Sequence, residues 1–110
     1  MNVAPFNPQG NTVTFTADVT APTPVQVTTA TGAANNYLVT NVGNATVFLG
    51  VGVTAASATA NAVIPTSGNS QRCIPVLPGT SQTFSLWANA FFTGISATSS
   101  VVYVTPGDGA

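Results

Sequence analysis

The stretch Cys73–Thr105, CIPVLPGTSQTFSLWANAFFTGISATSSVVYVT, decides how the chain is read. It holds three apolar segments, Cys73–Leu77, Phe84–Trp87 and Val101–Val104, with turn signals between them. The first break is Leu77-Pro78-Gly79-Thr80. Proline pre-sets an early turn position and glycine accepts positive φ, so Pro-Gly reads as a turn. Ala88-Asn89-Ala90 is the second break and leads into the aromatic pair Phe91-Phe92. The small polar run Ser96–Ser100 is the third. Phe84, Leu86, Trp87, Phe91, Phe92 and Tyr103 carry much of the bulky apolar surface, and the rest of the fold is expected to pack against them. Nothing in the stretch is arranged for catalysis.

Upstream, Asn11–Thr20 alternates with period two. Val13, Phe15, Ala17 and Val19 point one way, and Thr12, Thr14, Thr16, Asp18 and Thr20 the other, as in a half-buried strand. Val25 and Val27 alternate again after Ala21-Pro22-Thr23-Pro24. Tyr37–Val42 reads as a short strand and Val42–Ala45 as a hairpin-like turn. Thr46–Val53 follows, with Val47, Leu49, Val51 and Val53 on one face and Phe48, Gly50 and Gly52 on the other. Two glycines on one face leave a shallow trough. It suits a bend, an aromatic from a facing sheet, or a ligand or subunit contact. Thr54–Asn61 consists of small residues and is expected to be a loop with at most one helical turn, since so short a helix is marginal alone.

About eight short β segments, spaced 10–15 residues apart, predict an all-β sandwich or barrel. The 18 threonines among 110 residues suit a pleated surface. The expected layout is an extended N-terminal arm over 1–10, one β-sandwich domain over 11–105, and a flexible tail over 106–110.

Charge is scarce. Asp18, Asp108 and Arg72 are the charged side chains, 3% of the chain, and there is no histidine. Binding nucleic acid requires several Lys or Arg to displace counterions, and the chain has one Arg, so nucleic-acid binding is not expected. Charge-driven membrane binding fails for the same reason. The longest bulky apolar run, Val47–Val53, is far short of a membrane span. The N-terminus has neither a basic start nor an apolar core, so no secretory signal is read, and the protein is expected to stay where it is made.

Without histidine, Ser-His-Asp and Cys-His machinery cannot be assembled. Clustered Cys and His ligands for zinc are missing. Asp18 and Asp108 could form an acid–base pair in principle, but one falls on a solvent-facing strand position and the other in the tail. Cys73 is the single cysteine and reads as a small buried hydrophobe. Asn44-Ala45-Thr46 fits the glycosylation pattern, a triplet common by chance. No catalytic, metal or cofactor residue is assigned, and no enzymatic activity is expected.

Five residues are candidates for contact with a neighbouring subunit or another partner. Phe6, between two prolines, either tucks onto its own domain or anchors the arm on a neighbour. Arg72 is the sole cation and could pair with Asp18 or with a partner. Trp87 faces outward if Phe84 and Leu86 face the core, and is core if the strand ends or bulges at Leu86. Phe91 and Phe92 would join an outward Trp87 in an aromatic patch, the kind of anchor that dominates interface energetics.

The second half resembles small proteins encoded among phage head genes. The likeness lies in Leu77-Pro78-Gly79-Thr80 and the run to Phe84, then Ala88-Asn89-Ala90-Phe91 and the closing Val102–Gly109, and it covers roughly Val42 to the end. It is similar to a head decoration (cement or stapling) protein of a tailed bacteriophage. The resemblance implies a jelly-roll-like antiparallel sandwich on the outer surface of the virion capsid, bridging neighbouring major capsid subunits and assembled as a homodimer or homotrimer. A second expectation comes from Trp87, Phe91 and Tyr103, which could stack on sugar rings in a carbohydrate- or receptor-binding module of a tail fibre.

Overall fold

Alternation is clearest in the strand Asn36–Asn41, where Tyr37, Val39 and Asn41 are buried while Asn36, Leu38 and Thr40 are half-buried. The computed structural model describes residues 5–28, 36–69 and 71–108. Its elements are β1 (Asn7–Pro8), β2 (Val13–Ala17), β3 (Val25–Gln26), β4 (Asn36–Asn41), β5 (Val47–Gly52), α1 (Ala55–Asn61), β6 (Ile74–Val76), β7 (Thr80–Ser85), β8 (Phe91–Ser96) and β9 (Ser100–Asp108). The expected all-β antiparallel sandwich is what the chain forms.

One sheet has the order β1-β9-β4-β7, with β2 also on β9, and the other the order β3-β8-β5-β6. The named strands pair antiparallel and in a nested order: β2 with β9, β3 with β8, β4 with β7 and β5 with β6. Two further pairings, β4 with β9 and β5 with β8, close each sheet. Inward residues of both sheets form one core that includes Phe15, Val27, Tyr37, Val39, Leu49, Phe92, Val102 and Val104. Tyr37 and Phe92 meet edge to face across it, ring centroids 5.2 Å apart.

Two buried polar side chains bond between elements at opposite ends. Asn41 donates from Nδ2 to the carbonyls of Ala45 (2.9 Å) and Val76 (3.0 Å) and accepts from the Gly43 N–H (3.0 Å). At the other end the Tyr37 hydroxyl donates to the Trp87 carbonyl at 2.6 Å. Among the described residues, no buried side-chain N or O lacks a hydrogen-bond partner.

Several expectations are corrected. Thr54–Asn61 is mostly helix: α1 begins at a Thr54 cap whose Oγ1 accepts from the Ser57 N–H at 3.2 Å. The trough over Gly50 and Gly52 is filled by this helix, not by a facing aromatic or a partner. A Cβ at Gly50 would fall on the Ala58 carbonyl, and one at Gly52 on the Ala58 nitrogen. Small helix residues and missing Cβ atoms let two backbones approach, and the Asn61 amide then bonds the Val51 carbonyl at 2.8 Å.

The arm and the tail meet each other. Asn7 and Pro8 pair with Asp108 and Gly107, and the Gln9 N–H donates to the Pro106 carbonyl at 2.8 Å. Residues 5–10 therefore do not project away, and Pro106 to Asp108 continue β9 instead of forming a flexible tail. Residues 1–4 of the arm and 109–110 of the tail lie outside the described residues. The short aromatic run Phe91-Phe92 begins the six-residue strand β8. Cys73 is half-buried rather than buried.

Candidate interaction surface

Trp87 takes its position from the end of β7. Phe84 and Leu86 pack against the core. Strand geometry stops at Ser85, and Trp87 is left 38% exposed. Its backbone is held firmly: besides accepting from Tyr37 at its carbonyl, it leads into the Ala88-Asn89 turn, where Asn89 adopts φ +56°. The Ala90 N–H donates to the Tyr37 oxygen at 3.4 Å, and the Gln26 amide donates to the Asn89 carbonyl at 3.2 Å. Burial removes water from the Tyr37 phenol and pushes its pKa above the ordinary 10.0, so it stays a hydrogen-bond donor across neutral pH.

The five sequence candidates divide. Phe92 is fully buried against Tyr37 and is core, since β8 turns it inward while Phe91 faces out. Phe91 is half-buried on the outer face, opposite Gln26 and Gly52. Phe6 is half-buried against Gly107 of its own domain, so the intramolecular alternative is the one seen. Arg72 is exposed two residues before β6.

Register gathers Phe6, Trp87 and Phe91 at one end of the sandwich. Asn36 opposes both Gly107 and Ser85, and Tyr37 reaches across to Trp87 and Ala90. The opposite end carries apolar residues that the sequence reading passed over. Val42 and Leu77 are more than half exposed there, brought together because the Gly79 N–H donates to the Asn41 carbonyl at 2.8 Å. Both flank turn signals, and that adjacency was the available clue.

The outer face of the β9 sheet is built from hydroxyls. Register places Thr14, Tyr103, Thr40 and Ser81 in one row across four strands. Thr40 and Ser81 share a hydrogen bond of 3.0 Å, as do Thr12 and Thr105 at 2.7 Å. On the other sheet, Phe48, Ile95 and Pro75 share the outer face beyond α1.

The carboxylates do not meet. Ala17, before Asp18, opposes Ser100, and Asn7 opposes Asp108. They sit at opposite ends of β9, roughly 25 Å apart at ~3.3 Å per residue. The Asp18 carboxylate accepts from the Val19 N–H at 2.8 Å. Among the described residues, no group of three or more His, Cys, Asp or Glu could hold a metal ion, and no helix is long and apolar enough to cross a membrane. Apart from the exposed Arg72 and Asp18, this surface offers hydroxyls, aliphatic side chains and the exposed rings of Trp87 and Tyr103. No family model, curated protein or solved structure matches the chain.

Proposed function

We propose that this chain is a non-enzymatic virion structural protein, a decoration or cement protein that binds the outer surface of a phage head and bridges neighbouring major capsid subunits. The observation that carries the reading is the distribution of adhesive groups. Apolar side chains stand out at both ends of the sandwich, Trp87 at one and Val42 with Leu77 at the other. A body that presents contact residues at two opposite ends suits a bridge between two neighbours. The nested strand order supports a jelly roll, in which two Greek keys are wound into facing sheets. The likeness of Val42–Gly109 to phage head proteins points the same way.

Attachment through such groups rests on apolar burial and hydrogen bonding, and salt screens it little. Many copies on one lattice also let each contact be modest. Immunogold labelling of virions from the source tests the assignment: gold over the head supports it. Gold confined to the tail tip would replace it with the receptor- or glycan-binding reading, which the exposed Trp87 ring favours. A glycan array at millimolar sugar then decides whether that ring stacks on a saccharide.

A further inference from the structure

A strand at the edge of a sheet displays unpaired N–H and C=O groups, and natural proteins guard such edges with charge, proline, shortness or a covering element. The β3 edge has two residues and follows Pro22 and Pro24. The β6 edge has three, with Pro75 in the middle. At the end of β2 the chain crosses to the other sheet, where the Asp18 carbonyl accepts from the Ser96 N–H at 3.0 Å, and that corner bears a carboxylate. Among the described residues, the β7 edge has none of these guards. It is six residues long, TSQTFS, without charge or proline, and it ends its sheet among the described residues. Ser81, Gln82 and Ser85 are exposed along it.

We propose that β7 pairs antiparallel with β7 of a second copy of this chain, across a two-fold axis at Gln82. The strand is self-complementary about that point. Leu77 lies five residues before Gln82 (82 − 77) and Trp87 five residues after it (87 − 82), and both side chains are exposed. With Gln82 opposite Gln82, each Leu77 arrives at the end of the edge where the other copy's Trp87 stands. An isologous contact of this kind uses every group twice. No charged side chain lies between Arg72 and Asp108, so two such edges meet without like-charge repulsion. The β9 sheet then runs continuously through both copies, with main-chain bonds supplying affinity as in β-strand addition.

The proposal draws on Leu77 and Trp87, two of the side chains the attachment reading also uses, and is tested apart from that reading on the purified full chain by sedimentation equilibrium. The wild type is expected to be a dimer. Gln82→Lys and Gln82→Glu each place like charges directly opposite one another at the axis, and each is expected to weaken the dimer roughly five-fold or more. Mixing the two variants in equal amounts is expected to restore it, because Lys then faces Glu. Trp87→Ala weakens the dimer without a salt dependence. A monomeric or trimeric wild type overturns the pairing, as does a dimer that either charge variant leaves unchanged. A monomer that still labels phage heads would sink the pairing while leaving the attachment reading intact, and a dimer that labels no head would do the reverse.

Discussion

At the residue scale, Tyr37 does the most to join the core to the exposed surface. Its ring is buried against Phe92, and its hydroxyl holds the backbone beneath Trp87. Tyr37→Phe keeps the ring and strands the Trp87 carbonyl and the Ala90 N–H. A loss of about 1–3 kcal/mol is expected, read by urea denaturation, together with a shift in Trp87 fluorescence from the loosened turn. The same phenol sets an alkaline limit. Its folded pKa is raised by desolvation, so its contribution is complete below the ordinary 10.0 and is lost as pH rises through the higher folded value. Tyr37→Phe should flatten the fall in stability above pH 10.0, and an unchanged slope would assign that fall elsewhere. Gly50 and Gly52 act through what they lack. Ala at either would drive a Cβ into the α1 backbone, and a destabilisation of about 1–3 kcal/mol is expected in the same denaturation series.

At the scale of elements, α1 shows tertiary contact overriding local weakness. Seven small residues would not hold a helix alone. Here the helix is capped by Thr54 and laid against bare strand backbone. Thr54→Ala should cost about 1 kcal/mol by thermal melting. The sequence showed both halves of this contact, a glycine trough and a small-residue run a few positions later. It could not show that one fits the other, because small residues carry no anchor pattern. β1 is a similar case. Two prolines near the N-terminus suggest an arm, yet Asn7-Pro8 borrows the free edge at the end of β9. Deleting residues 1–9 is expected to lower the urea midpoint by removing that pairing, and an unchanged midpoint would make β1 an ornament of the fold.

At the scale of the molecule, nested pairing joins distant parts of the chain. The Thr14 hydroxyl bonds the Val102 carbonyl across 88 residues. Loops this long must close before their contacts are made, so refolding on the millisecond-to-second scale is expected in stopped-flow fluorescence. The charge content sets a second property. Without histidine and with two carboxylates, the chain has little to titrate near neutrality, and its melting temperature should stay flat between about pH 5 and 8. A bell-shaped profile in that range would contradict this.

The sequence by itself determined the class of fold. Period-two alternation in Val13–Ala17 and Val47–Val53, punctuated by Pro-Gly and Asn-rich turns, encodes strands locally, and local encoding is what a chain shows on inspection. Composition alone also ruled out histidine chemistry and set the expectation that the chain does not bind nucleic acid. The tertiary structure alone decided which aromatic is core and which is surface. Phe91 and Phe92 are neighbours of equal hydrophobicity, and only the phase of β8 against β5 sends Phe92 to Tyr37 and Phe91 outward. It decided that Trp87 is exposed, because where β7 ends depends on its pairing with β4. It also decided that β7 ends its sheet among the described residues. Strand order is set by contacts between residues far apart in the chain, and no local pattern records them.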